Sequence, residues 1–110
     1  MDSKAIIRDL LVEGLDDWVP VDRLIWLARE ESEQSGGDFR FLAIELLTEL
    51  MRDGLMEIGE LGDTGLEPWS GGAEAVLARL VTALDQVGWM PAGGVCWLAS
   101  TSQGDRMASE

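Results

Sequence analysis

The chain has no histidine and no tyrosine, a single cysteine and a single lysine. The missing histidine removes imidazole general bases, Ser-His-Asp and Cys-His nucleophile systems and His-liganded metal sites. An enzyme built from this inventory would have to run on carboxylates, Lys4, Ser/Thr hydroxyls or Cys96, and no spacing singles out a carboxylate pair. One cysteine excludes an intramolecular disulfide. In the apolar run Val95-Cys96-Trp97-Leu98 it reads as a small buried hydrophobe. No apolar run approaches the roughly 20 residues of a membrane span. No basic segment followed by an apolar stretch opens the chain. The expectation is a soluble cytoplasmic protein that is not an enzyme and has no cofactor or metal.

Basic charge is also scarce. The 110 residues carry 21 Asp and Glu against 8 Lys and Arg, for a net charge of −13, and 46% of the residues are apolar. A chain of this length makes one domain. It is large enough to bury roughly two-thirds of the surface that the unfolded chain exposes. The domain is placed over residues 1–104, with 105–110 as a frayed polar tail.

Apolar periodicity predicts four helices. Ser3 is placed as a cap for the first, which carries Ile6, Ile7, Leu10 and Leu11 on one face and stops at Gly14. Trp18-Val19-Pro20 is a short extended piece, because the residue before proline is pushed away from helix. The second helix covers about 21–31, with Leu24, Leu27 and Ala28 inward, and a polar Gly-rich turn follows over 32–37. Asp38 caps the third, which has Phe39, Leu42, Ala43, Leu46, Leu47 and Leu50 as its stripe and Gly54 just past its end. A hairpin is predicted over 55–69, its returning strand confined to an edge or a strand end by Pro68. Ser70 caps a fourth, strongly amphipathic helix to about Val87. A last strand is predicted over 95–99, and Thr101 or Ser102 caps a final turn.

Two strings within this order are characteristic: Trp18-Val19-Pro20-Val21-Asp22, and Leu50-Met51-Arg52-Asp53-Gly54-Leu55-Met56-Glu57. Helix, extended piece, helix, turn, helix and two-stranded ribbon over residues 4–69 resemble the winged helix-turn-helix superfamily. The resemblance implies an α+β, winged-helix-like domain, mostly helical, with a small antiparallel sheet and an added amphipathic helix after the wing. That added helix either covers the core or fills the groove where DNA would lie. Trp97-Leu98 with Thr101 and Gly104 is similar to the final strand and turn of small bacterial winged-helix proteins of unassigned role.

Charge opposes the use of this scaffold on DNA. Protein–DNA affinity draws on Lys and Arg displacing counterions from phosphates. The presumed wing, 54–69, carries Glu57, Glu60, Asp63 and Glu67 and no cation. The third helix would offer Phe41, Glu45, Thr48 and Arg52 outward, where base reading favours Arg, Lys, Asn and Gln. On the second helix, Trp26 falls opposite Leu24 and Ala28 at 100° per residue. Either Trp26 faces a partner or the fourth helix or the tail packs over it. Either Phe41 joins Trp26 in an aromatic pair rimmed by acids, or it tucks under the 35–37 loop. The acidic surface either keeps the protein soluble or steers a basic partner.

The first expectation is therefore a non-enzymatic protein-binding module for a basic protein, of the immunity or antitoxin inhibitor type or a regulatory adaptor, acting as monomer or homodimer. Its binding residues would be Trp26, Phe41, Glu45, Arg52, Glu57, Glu60 and Asp63. The alternative is a winged-helix transcription regulator binding DNA through Arg40 and Arg52 of the third helix. The glycines of 59–65 lack a P-loop lysine and precede no helix at the right spacing, so they mark a hairpin turn.

Overall fold

The computed structural model describes residues 3–110. The chain runs α1 (Ser3–Gly14), β1 (Val19–Pro20), α2 (Val21–Ser35), α3 (Phe39–Arg52), β2 (Met56–Gly62) and β3 (Gly65–Pro68). It continues through α4 (Ala73–Gln86), β4 (Trp97–Ser100) and α5 (Ser102–Ala108). The result is a mostly helical α+β fold with one antiparallel sheet in the order β1-β4-β2-β3.

The core follows the apolar stripes. Ile6, Leu10 and Leu11 of α1, Leu24 and Ala28 of α2, and Ala43, Leu46, Leu47 and Leu50 of α3 are buried together. Each fully buried leucine or isoleucine contributes about 1.5–3 kcal/mol relative to an exposed one. Helix α4 adds Val76, Leu80 and Leu84 to the same core, so it covers the core. Val87, the expected end of this helix, lies just beyond it and is exposed.

Helix α2 extends four residues past the predicted end. Ser32 continues the Leu24–Ala28 face and is buried. The stop is Gly36, left-handed at φ 82°, whose N–H reaches the Ser32 carbonyl at 2.8 Å. Two residues later the Asp38 carboxylate accepts from the Arg40 N–H at 2.9 Å and starts α3. The α2–α3 turn is thus set by one glycine and one side-chain cap. Two other caps differ from expectation. Gly72, not Ser70, precedes α4, and Ser3 lies within α1, so the position before it falls outside the described residues.

The predicted hairpin forms, with Gly59 opposite Pro68 and Gly62 opposite Gly65, and β3 is an edge strand as Pro68 requires. A Cβ at Gly59 would sit 2.4 Å from the Glu67 carbonyl oxygen, so glycine is needed where the two backbones close. Strand β4 enters between β1 and β2, pairing Leu98 with both Val19 and Ile58. These three side chains face the core. Thr101 then caps α5, its hydroxyl accepting from the Gly104 N–H at 3.0 Å. The segment expected as a frayed tail from 105 is helical to Ala108, and Ala108 is buried.

Candidate functional site

The outer face of α3 is a ridge. Phe41, Glu45, Glu49 and Asp53 recur every four residues and so lie one above another. Phe41 is 73% exposed, the most exposed large apolar side chain among the described residues. It is not tucked under the 35–37 loop. Beside the ridge runs an open groove of about 480 Å³, with Ile44 and Thr48 in its wall and Arg52 at its far end. Phe41, Glu45 and Arg52 are therefore brought together, as 100° spacing requires. Glu49 and Asp53 join them, and their i+4 and i+8 offsets from Glu45 were the signal for doing so.

Trp26 stands apart from this groove. It is 49% exposed, and neither α4 nor the C-terminal segment covers it. It lines a second depression, of about 520 Å³, with Ile25, Trp89, Met90 and Pro91. The Arg23 guanidinium lies over its ring at 4.8 Å and also meets Glu13 at 2.9 Å. Phe41 lines none of this depression, so the aromatic pair expected from the sequence is two separate surfaces.

The wall of the second depression is held by Trp89. This residue is 4% exposed and left-handed at φ 60°, a conformation uncommon for a bulky side chain. Four contacts hold it. Its N–H donates to the Leu84 carbonyl at 2.8 Å, its indole N–H to Asp85 at 2.7 Å, and its carbonyl accepts from Arg29 at 2.9 Å. Its ring meets Phe39 edge-on at 6.3 Å, and Arg29 lies over Phe39 at 3.9 Å. The left-handed Gly88-Trp89 step turns Met90 outward to 71% exposure. No periodicity marks residues 88–91, so Trp89 and Met90 carried no sequence signal for this place.

The wing acids divide. Glu57 and Asp63 are exposed. Glu60 accepts from the Trp69 indole and from Arg79, each at 3.0 Å, and Arg79 lies over the Trp69 ring at 3.9 Å. Glu60 directly opposes Glu67 across the hairpin. Like charges so placed repel, and Arg79 supplies the neutralising cation. Glu60 is thereby engaged within the fold.

Cys96 is buried, and burial first, then the carboxylates of Asp22 and Glu60, push its thiol from 9.0 up to about 12, against a smaller opposing effect of Arg79. The thiol stays protonated at neutral pH and so lacks the nucleophilic form. We expect native protein to resist iodoacetamide at pH 8, while urea-unfolded protein is alkylated fully; rapid native labelling would contradict the burial. The sign for stability follows from linkage. Below pH 9 the thiol is protonated whether folded or unfolded. Between pH 9 and 12 the unfolded chain loses that proton more readily, so this group destabilises the fold as pH rises.

Among the described residues no group of His, Cys, Asp and Glu is arranged to hold a metal ion, and no helix is long and apolar enough to cross a membrane. No protein-family model, curated protein or solved structure matches this chain.

Proposed function

We propose that this chain is a non-enzymatic protein-binding module that holds a basic protein against the outer face of α3. The observation that carries the reading is Phe41 at 73% exposure heading an acidic ridge. Burying a phenylalanine is worth about 1.5–3 kcal/mol, and α3 forgoes it in the free protein. Like charges at i, i+4 cost a helix about 0.2–0.5 kcal/mol per pair. Glu45, Glu49 and Asp53 repeat that cost twice. A partner with an apolar socket flanked by Lys or Arg relieves both. Aromatic anchors inside a polar rim are the usual anatomy of such interfaces. Trp26 with Met90 is a second anchor on a separate surface.

The winged-helix likeness belongs to the same proposal. It rests on the order α1-β1-α2-α3-β2-β3, with α4, β4 and α5 as additions. DNA is the weaker partner on that scaffold. The α3 face would set three carboxylates against phosphate, and Arg40 leans over Phe39 and toward Asp38, at 3.9 Å. An inhibitor of a basic toxin and a regulatory adaptor both fit a basic protein partner.

The test is photo-crosslinking in the source cell, with a benzophenone amino acid in place of Phe41 or of Thr82, which is exposed on α4. A protein adduct is expected from position 41 and not from position 82, and its peptide at the crosslink should be rich in Lys or Arg. Nucleic-acid adducts from position 41, or equal adducts from both positions, would overturn the assignment.

A further inference from the structure

At the end of the ridge away from Phe41, helices α1, α3 and α5 enclose a cleft of about 390 Å³. That volume is within the range of small-molecule sites, about 300–1,000 Å³. Ile7 and Leu55 form its apolar floor, both buried, and Met107 its half-exposed rim. Two charged walls rise from this floor. Lys4 and Arg8, one turn apart on α1, supply cations; Glu49 and Asp53, one turn apart at the end of α3, supply anions.

The walls do not close on each other. Among the described residues, no nitrogen of Lys4 or Arg8 lies within 4.0 Å of a Glu49 or Asp53 oxygen. Arg8 instead donates to the main-chain oxygen of Glu110, so part of its donor capacity is taken within the fold and Lys4 is the cation of this wall left to meet a ligand. Opposite charges thus share one cleft over an apolar floor, and a single ligand can engage both.

We propose that this cleft binds a small zwitterion with an apolar side chain, an apolar α-amino acid. Its carboxylate would lie toward Lys4 and Arg8, its ammonium toward Glu49 and Asp53, and its side chain on Ile7, Leu55 and Met107. A fatty-acid anion would leave the two carboxylates without a counter-charge. A basic side chain alone would meet Lys4 and Arg8 as like charges. Only a ligand with both charges matches both walls. The inference does not rest on the protein-binding role of Phe41.

The experiment is an amide-resolved NMR titration of the isotope-labelled full chain with L-leucine, N-acetyl-leucine and leucine methyl ester, each to about 10 mM, which covers millimolar affinity. Leucine is expected to shift amides of early α1, late α3 and Leu55 saturably. Each blocked form should bind about tenfold more weakly, since it loses one charge-assisted contact. Lys4→Gln and Glu49→Gln should each weaken leucine by a similar factor with the rest of the spectrum unchanged. Phe41→Ala should leave leucine binding intact, because Phe41 does not line the cleft, although Glu49 and Asp53 border both the cleft and the groove of the protein-binding face. Absence of saturable shifts, equal binding of the blocked forms, or indifference to both cleft variants would overturn the proposal.

Discussion

Replacing Trp89 with alanine is expected to lower the unfolding free energy by about 3–5 kcal/mol, the usual cost of emptying a buried aromatic site. The side chain is 4% exposed, packs edge-on against Phe39 and ties Asp85 through its indole N–H. Alanine keeps a Cβ, so it inherits the left-handed backbone at φ 60° and its strain. Domains of this size hold roughly 5–15 kcal/mol in total, so the variant should be marginal at room temperature. Thermal melts should fall by roughly 12–30 °C. A loss below about 1 kcal/mol would mean that the Arg29–Phe39–Trp89 stack does not anchor the 88–91 segment. Trp89→Gly should recover part of the loss, because glycine accepts φ > 0 without strain.

The second large effect concerns binding. Phe41→Ala combined with Glu45→Lys should weaken capture of a basic partner by a hundredfold or more. An aromatic hot spot is worth about 2 kcal/mol or above, and reversing a facing charge adds repulsion. Both side chains are exposed, so melting should change by no more than about 0.5 kcal/mol. Trp26→Ala should cost less against the same partner, since Trp26 lines the other depression. Equal losses from Trp26 and Phe41 would mean that one partner spans both surfaces.

What the sequence made legible is what local rules govern. The α3 stripe, the Asp38 cap and the grouping of Phe41, Glu45 and Arg52 all follow from 3.6-residue periodicity and capping chemistry. The end of α2 was misplaced because Ser32 is polar and yet sits on the buried face, so composition there resembles a turn. Non-local events left no local trace. Nothing in Trp97-Leu98-Ala99-Ser100 says that the strand lies between β1 and β2. Glu60 looked like any other wing acid until α4 brought Arg79 to it. Trp26 and Phe41 were paired because their helices are neighbours. The rotation of each helix decides what its side chain faces, and Trp26 shares its depression with Met90, from a loop more than sixty residues away. The full length of the C-terminal helix is not legible because only Gly104 and Ala108 carry its burial, among polar neighbours.

The most direct measurement is a pair of fluorescence-anisotropy titrations at low salt. One uses a labelled amphipathic helical peptide of leucine and lysine, the other a labelled random DNA duplex, and each is run against the wild-type chain and the Phe41→Ala/Glu45→Lys variant. The peptide is expected to bind the wild type, to weaken as salt rises and to be lost in the variant, with no binding of the duplex. Duplex binding with a steep salt dependence, and no peptide binding, would contradict it and place the α3 face on DNA.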